Sequence, residues 1–197
     1  MRDILYILVV TVIANNVLFV RFEGLSTLIG PSEKRGSALF ISIATSTVLI
    51  FSSAAGWALE RYVIQPLGIE YLRIVLLLFI IACMVQFLEN IFMGARPALI
   101  ARLNVYFPII TVNSAILGNC TGVIEQDYSL LLAIVSAAGI GAGFSLGMFL
   151  FTGVRGRIED SALPESFRGT PAALIAASIV SLAFLGFEGA VSGIFGM

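Results

Sequence analysis

The 197-residue sequence has no histidine, only two cysteines, and few charged side chains, which make up 12% of its residues. Histidine is the commonest metal ligand and the usual general base, so its absence excludes zinc hydrolases, Ser/His triads and histidine-ligated haem. The low charge excludes an ordinary soluble domain, because such a protein carries about twice this charged fraction. What remains is apolar: hydrophobic residues make up 59% of the chain, and its mean hydropathy is +1.04. This composition predicts an integral membrane protein.

The sequence also lacks a charge excess and several functional motifs, which excludes further classes of function. The chain carries 11 Lys and Arg against 12 Asp and Glu, so it has no basic excess that would hold nucleic acid. It contains no Walker loop, dinucleotide-binding glycine motif, Cys-x-x-Cys pair or His-Glu-x-x-His sequence. Cys83 and Cys120 lie inside apolar runs, where we interpret them as small buried residues. We therefore expect the chain to be non-catalytic when alone.

Charged residues divide the sequence into six apolar segments, and a transmembrane helix needs about 20 such residues. The segments are Leu5–Val20, Ser37–Leu59, Ile74–Met93, Val105–Cys120, Tyr128–Thr152 and Pro171–Ile194. They predict one all-α, polytopic membrane domain over residues 1–197 with six transmembrane helices. The amino end shows no small-residue cleavage site, so we expect no cleaved signal peptide.

The first and fourth segments are short, and we predict that both helices are broken inside the membrane. They contain Asn15, Asn16 and Asn113, and each leads into a glycine-containing stretch, Leu25–Gly30 and Asn113–Gly118. Because lipid cannot hydrogen-bond the backbone groups that a break exposes, both stretches are expected to be buried in the bundle. The asparagines are expected to hydrogen-bond the freed carbonyl groups.

The distribution of lysine and arginine predicts which side of the membrane each loop faces. Eight basic residues lie in the loops after the first, third and fifth segments, and three lie on the other side. The eight are Arg21, Lys34, Arg35, Arg96, Arg102, Arg155, Arg157 and Arg168, and the three are Arg2, Arg61 and Arg73. Since cytoplasmic loops are enriched in basic residues, both termini are predicted to face outward.

The two halves of the chain, approximately residues 1–95 and 96–197, share two short motifs in the same order. Ser26–Gly30 (STLIG) reads again as Ser114–Gly118 (SAILG), and Glu70–Arg73 (EYLR) reads again as Glu165–Arg168 (ESFR). Each half contains three spans, an odd number, so the second copy enters the membrane from the opposite side. Proteins built from inverted repeats place their site where the broken elements meet, which points to Ser26 and Ser114.

Ionisable residues inside the predicted spans are candidates for an ion path, because they are costly to place in lipid. Glu89 has Gln86 and Asn90 on neighbouring turns, and Glu188 lies near the end of the sixth segment. Each carboxylate is either a cation station or an interfacial group that reaches water. The small residues of Ser136–Gly147 predict a close helix seam, either inside the bundle or against a neighbouring subunit.

Four stretches of the sequence resemble the RnfA/NqrE membrane subunits of the Rnf and Na+-Nqr ion-pumping respiratory complexes. They are Ala14–Ser26 (ANNVLFVRFEGLS), Phe107–Gly118 (FPIITVNSAILG), Phe167–Gly169 (FRG) and Ser181–Phe187 (SLAFLGF). The match runs essentially end to end. The last two stretches are closer to RnfA/NqrE than to the sister RnfE/NqrD type, and the outward termini agree with that choice.

The resemblance implies two inverted three-helix repeats, paired with a sister subunit of opposite orientation, and a [2Fe-2S] cluster between the two. In the family each subunit supplies two cysteines, in a Gly-Leu-Cys and an Asn-Cys-Ala motif. The corresponding positions read Gly24-Leu25-Ser26 and Asn113-Ser114-Ala115, so both implied ligands are serines. A serine hydroxyl is a hard ligand that ionises far less readily than a thiol, so a serine-ligated cluster would be weak.

Other positions also depart from the family pattern. Neither Cys83 nor Cys120 falls on a ligand position, and Glu23 and Thr27 stand where the family carries an apolar residue and proline. Glu23 belongs either to an ion site or to the interface beside Arg21. The serines are either introduced replacements or a natural divergence that keeps the scaffold without the cluster, and we favour divergence because Glu23 and Thr27 change as well.

The leading hypothesis is a membrane subunit of an Rnf/Nqr-like complex that couples ferredoxin, NAD or quinone chemistry to Na+ or H+ movement. Its expected partners are the RnfE/NqrD-like sister, flavin-bearing and ferredoxin-like subunits, and the lipid of the cytoplasmic (inner) membrane. The candidate ion-path residues are Glu89, Glu23 and Asn113. The alternatives are a stand-alone cation carrier or channel and a purely structural assembly subunit.

Overall fold

The computed structural model of the protein describes residues 8, 10–33, 35–95, 106–159 and 161–195. Regular structure within these ranges is helical throughout. Seven α-helices are named here: α1 Leu25–Ile29, α2 Arg35–Leu59, α3 Arg73–Ala95, α4 Phe107–Thr111, α5 Ser114–Glu125, α6 Leu130–Glu159 and α7 Thr170–Phe195. Shorter elements are the π-helical turns Val10–Ala14 and Glu60–Ile64, the helical turn Gln65–Leu67, and the 3-10 turns Pro31–Glu33, Glu70–Leu72 and Glu165–Phe167.

Five stretches of the described chain are long and apolar enough to cross a membrane. They are Arg35–Leu67, Glu70–Gly94, Phe107–Glu125, Leu130–Ile158 and Thr170–Phe187, which correspond to the second to sixth predicted spans. The first predicted span, Leu5–Val20, is not a continuous helix where it is described. Its π-helical turn ends at Ala14, and the chain then runs irregularly to Gly24, while residues 1–7 and 9 lie outside the described ranges.

Helices α2 and α6 run antiparallel through the centre of the bundle. Ser46 Oγ donates to the carbonyl of Gly141 over 3.0 Å, and Ser53 Oγ donates to the carbonyl of Ala133 over 3.2 Å. A Cβ atom at position 141 would lie 2.9 Å from Cβ of Ser46, so only glycine permits this approach. The small-residue seam predicted in the fifth span is therefore confirmed, and it lies inside the bundle.

Apolar side chains face both the interior and the outer surface. Phe19, Phe144 and Phe151 are fully buried, whereas Phe79 and Leu182 are about two-thirds exposed. A soluble domain would bury such residues, but lipid is as apolar as the interior, so hydrophobicity alone does not drive them inward. The exposed apolar surface agrees with a helix bundle immersed in a membrane.

One arginine at each end of the bundle stabilises the connecting segments there. At one end Arg73 donates two hydrogen bonds to the Glu60 carboxylate, at 2.7 and 2.9 Å, and Glu60 is only 4% exposed. At the opposite end Arg155 of α6 donates to the carbonyl of Ile29 and to Ser32 Oγ. These contacts fix the α2 to α3 connection and the segment that follows α1.

Candidate functional site

Asn16 organises the first interruption. Its side chain is fully buried, and its amide nitrogen donates to the carbonyls of Val12 and Gly143, both at 2.9 Å. Its amide oxygen accepts from the backbone N–H groups of Leu18 and Phe19 at 3.1 and 3.4 Å. The bond to Val12 is of the predicted kind, a carbonyl at the break. The bond to Gly143 instead joins the break to the continuous helix α6, and the side-chain oxygen satisfies N–H groups that the prediction did not name.

The chain re-enters helical structure at Gly24, which has a φ of +82° and lies directly before α1. The hydroxyl of Thr27, which is fully buried, donates to the carbonyl of Gly24. Thr27 therefore closes the first turn of α1 with its side chain, a role that its departure from the family pattern did not reveal.

The second interruption lies between α4 and α5. Helix α4 ends at Thr111, and Asn113 has an extended conformation that begins α5 as its N-cap residue. The side-chain oxygen of Asn113 accepts from the N–H of Ala115 at 3.0 Å. The predicted break is present, but Asn113 satisfies a freed N–H group and not a carbonyl.

The two interruptions touch each other. The backbone N–H of Gly24 donates to Ser114 Oγ over 2.9 Å. A Cβ atom at position 24 would lie 3.0 Å from Oδ1 of Asn113 and 3.2 Å from the ring of Phe144. Close approach as well as positive φ therefore requires glycine here.

Ser26 and Ser114 both lie on the exposed surface, although their surroundings are largely buried. Thr27, Leu28, Ala115 and Ile116 are buried beneath them. The prediction that Leu25–Gly30 and Asn113–Gly118 are wholly buried is wrong for these serines, because each stretch buries only one side. Val112, beside the second break, is 78% exposed, so this surface is apolar around the serines.

The serine pair does not fit an iron-sulfur cluster. The Ser114 hydroxyl already accepts a backbone hydrogen bond, and a hard hydroxyl oxygen is poorly matched to iron and sulfide. Cys120 is buried as predicted, whereas Cys83 is exposed on α3, so the prediction of two buried cysteines is wrong for Cys83. Cys120 lies close to Gly56 of α2, since its Sγ is 3.8 Å from where a Cβ of residue 56 would stand. Within the described ranges, no three His, Cys, Asp or Glu side chains cluster.

Glu23 lies in the first interruption and contacts α5, the helix that follows the second. Its Oε1 is 2.8 Å from Nη2 of Arg21, the neighbour that the sequence analysis named. Its Oε2 is buried and has no hydrogen-bond partner in the described chain. A Cβ at Gly118 would be only 2.6 Å from this oxygen, so the carboxylate rests directly on the backbone of α5.

Glu89 borders a separate cleft between α3 and α4. Gln86 Nε2 donates to Glu89 Oε2 over a long 3.4 Å. Val85, Phe107 and Thr111 line the same cleft. Glu89 therefore lies beside the first half of the broken fourth span, whereas the exposed Asn90 is not among the lining residues. The side chain of Glu188 lies outside the described part of the molecule.

Asn15 does not brace the break in the way predicted, since its side chain is exposed and faces a cleft near Asn119 and Ser136. Sequence reasoning also missed Asn119, which is 3% exposed and binds the Ser136 hydroxyl through its side-chain oxygen at 3.3 Å. An asparagine at the next-to-last position of the fourth apolar segment was the available signal. The pairing of Glu60 with Arg73 was missed as well, although both flank the same short loop.

These features define the class of the protein: a polytopic helical membrane protein with two interrupted segments. The sequence matches the family model described as "Rnf-Nqr subunit, membrane protein" over residues 4–191, and the chain belongs to this family. It is 38% identical over 191 residues to the A-type subunit of the ion-translocating oxidoreductase complex of Rhodobacter capsulatus, covering 97% of this chain and 99% of that one. Proteins of the same name from Syntrophotalea carbinolica and Vibrio campbellii are 38% and 39% identical, covering 98% and 97% of this chain and the whole of each relative.

Proposed function

We propose that this chain is an integral membrane subunit of an ion-translocating oxidoreductase complex. It performs no redox reaction alone and forms, with a sister subunit, the layer where electron transfer meets ion movement. The observation that carries this proposal is the contact of Gly24 with Ser114, which joins two helix breaks beside exposed serines. The end-to-end similarity to proteins named as A-type subunits of such a complex supports it.

The proposed architecture is six spans in two inverted three-helix repeats. Two observations support the repeat. The motif Glu70–Arg73 and its copy Glu165–Arg168 both begin with a 3-10 turn, and each turn lies just before a long helix, α3 and α7. Each half also carries one interrupted segment, followed by a long helix of the central α2 and α6 pair.

The exposed serine surface is the proposed contact with the sister RnfE/NqrD-like subunit. Exposed apolar groups such as Phe22 and Val112 flank the break residues, and a partner would shield the irregular backbone from lipid. Flavin-bearing and ferredoxin-like subunits would complete the complex in the cytoplasmic membrane. Both termini face outward in this arrangement, and a cysteine added at the carboxyl end should react with an impermeant thiol reagent in intact cells.

The serine positions are proposed to keep the scaffold without the usual [2Fe-2S] ligands. The test is iron content and low-temperature EPR of the reduced complex, unaltered and with Ser26→Cys and Ser114→Cys. We expect a signal from this layer only in the doubly substituted protein. A signal of equal strength in the unaltered protein would show that other groups ligate the cluster.

Glu89, Glu23 and Asn113 are the proposed ion-path residues. Glu89 and Glu23 approach the broken fourth span from different sides, and Asn113 lies at its break. Glu89→Gln should reduce ion movement per electron transferred without preventing assembly. Deleting the chain tests the alternatives. If the chain is a purely structural subunit, its deletion prevents assembly, but changes at these three positions have no effect. If it is a stand-alone carrier, its deletion leaves the complex active.

A further inference from the structure

A polar cleft lies between the first interrupted segment, α5 and α6. Its volume is about 240 Å³, and its lining includes Asn15, Arg21, Gly118, Asn119, Gln126 and Ser136. The side chains of Asn15, Arg21 and Gln126 are exposed, so the cleft opens at the surface of the chain. Polar groups inside a membrane protein are costly and mark substrate or ion pathways.

Asn119 indicates what the cleft holds. Its side chain is 3% exposed, and its oxygen accepts from Ser136 Oγ at 3.3 Å. Its amide nitrogen is buried and has no acceptor among the described residues. A buried donor without an acceptor is costly, so water in the cleft is the expected partner. The cleft has room for several water molecules.

The carboxylate of Glu23 adjoins the cleft through two of the lining residues, although Glu23 itself does not line it. Gly118 lines the cleft on one side and supports the Glu23 carboxylate, and Arg21 lines it while pairing with Oε1 of Glu23. The second oxygen, Oε2, is buried without a partner in the described chain. The amide nitrogen of Asn113, 2% exposed at the second break, is also without an acceptor there. One unpartnered acceptor and two unpartnered donors thus surround a short stretch of α5.

We propose that this cleft is a water-filled half-channel and that Glu23, which contacts its lining residues Arg21 and Gly118, is the binding site for a small monovalent cation. The cation is a hydrated proton or Na+, both of which bind a carboxylate oxygen and water. Arg21 neutralises the carboxylate when the site is empty, which lowers the cost of its burial. The side chain of Arg21 is 37% exposed and can yield Glu23 to an arriving cation. This inference rests on the proposed function, because it assigns a site to the translocated ion.

Access comes from a defined side. Gln126 and Tyr128 border the cleft just beyond the end of α5, at the same end of the bundle as the Trp57 contact with the Tyr128 carbonyl. Arg21, which the sequence analysis assigned to an inner loop, lines this cleft instead. The other basic residues, seven against three, still assign the Gln126 and Tyr128 end to the outer face. The half-channel therefore connects Glu23 with the external aqueous phase.

Cysteine labelling tests whether the cleft is wet. Gly122 lines it, and a Cβ there meets no atom within 4 Å, so Gly122→Cys fits without disturbance. Gly186 of α7 is equally open and is flanked by exposed apolar Leu185 and Phe187, which makes Gly186→Cys the matched control. Both variants are made in the complete complex and also carry Cys83→Ala, because the exposed Cys83 would react with the reagent. Cys120 is kept because it is buried.

The reagent is a charged methanethiosulfonate, added to right-side-out or inside-out vesicles. The cysteine thiolate attacks the sulfenyl sulfur of such a reagent, forming a mixed disulfide and releasing methanesulfinate. Because the thiolate forms only in contact with water, position 122 should react at least about tenfold faster than position 186. The reaction should occur from the outer side. Equal rates at both positions, or labelling of position 122 only from the inner side, would overturn the half-channel.

Transport by Glu23→Gln tests the cation site. The reconstituted complex with this change should lose most of its ion movement per electron transferred, with ion movement followed by 22Na+ uptake and by a pH-sensitive dye in parallel and electron transfer measured in the same preparation. Loss of sodium uptake identifies Na+ as the cation, and loss of the pH change identifies the proton. Unchanged ion movement in both assays would eliminate Glu23 as the site.

The two proposals fail in different ways. If the chain is no part of a redox complex, its deletion leaves electron transfer intact, while the labelling of Gly122→Cys still reports a wet cleft. If the deletion abolishes electron transfer and position 122 stays unlabelled, the complex assignment stands and the half-channel falls.

Discussion

The N–H of Gly24 and the hydroxyl oxygen of Ser114 are 2.9 Å apart, although 90 residues separate them in the chain. The bond satisfies a backbone group at one helix break with a side chain from the other. Since each break exposes polar backbone that lipid cannot satisfy, the two irregular segments stabilise each other. This relationship makes the junction sensitive to small changes.

Ser114→Ala should destabilise the protein by about 1–3 kcal/mol, because it leaves the Gly24 N–H without its acceptor. Thermal unfolding in detergent measures the effect. Ser26→Ala is the control: Ser26 is exposed, and exposed substitutions change stability by less than about 0.5 kcal/mol. Equal melting temperatures for the two variants would contradict a structural role for the Ser114 hydroxyl.

Asn16→Leu should have a larger effect, because it removes four hydrogen bonds and leaves the N–H groups of Leu18 and Phe19 without their side-chain acceptor. We expect a loss on the order of 3 kcal/mol or more, seen as a low yield of folded protein and a lower melting temperature. Asn15→Leu changes the exposed neighbour and should preserve yield. Normal yield for Asn16→Leu would show that the break is held by other contacts.

A pair of glycines on α6 separates packing from helix propensity. A Cβ at Gly143 would lie 2.8 Å from the carbonyl oxygen of Thr11, so Gly143→Ala should cost about 1–3 kcal/mol through overpacking. A Cβ at Gly153 meets nothing within 4 Å, so Gly153→Ala should be neutral or stabilising by up to about 1 kcal/mol. Thermal unfolding of both variants in one detergent checks the opposite signs. A loss at Gly153 equal to that at Gly143 would contradict the predicted seam.

The ion pair of Glu60 and Arg73 allows a double-mutant cycle. Arg73→Met leaves the carboxylate of Glu60, which is 4% exposed, without its counterion. We expect a loss on the order of 2 kcal/mol, below the range for fully buried pairs because Arg73 is 31% exposed. Adding Glu60→Gln should restore part of the stability. Strictly additive effects would show that the two side chains do not interact.

Much of the fold could be predicted because its signals are local. A spanning helix depends on about 20 consecutive apolar residues, so hydropathy located the second to sixth spans. The break at Asn113 also has a local signal, since asparagine favours the N-cap of a helix. The pairing of Glu23 with Arg21 follows from their nearness in sequence.

The parts of the fold and of the candidate site that could not be predicted depend on contacts between segments distant in sequence. The sequence near Ser32 does not predict its contact with Arg155, because that contact requires the carboxyl end of α6 to pack against the segment after α1. The unpartnered amide of Asn119 is likewise a product of packing. The outward position of Ser26 was also missed, because apolar composition gives the mean burial of a stretch and not the direction of each side chain.

Helix α6 holds the first interrupted segment at several heights: Gly143 accepts from Asn16, Gly147 admits Leu18 and Phe19, and Arg155 binds the carbonyl of Ile29. From position 143 to position 155 the helix rises about 18 Å, at 1.5 Å per residue. Because the first interrupted segment is bound to α6 at both of its ends, it moves with this helix. Any displacement of α6 would therefore move Glu23 and Ser26 together relative to α5.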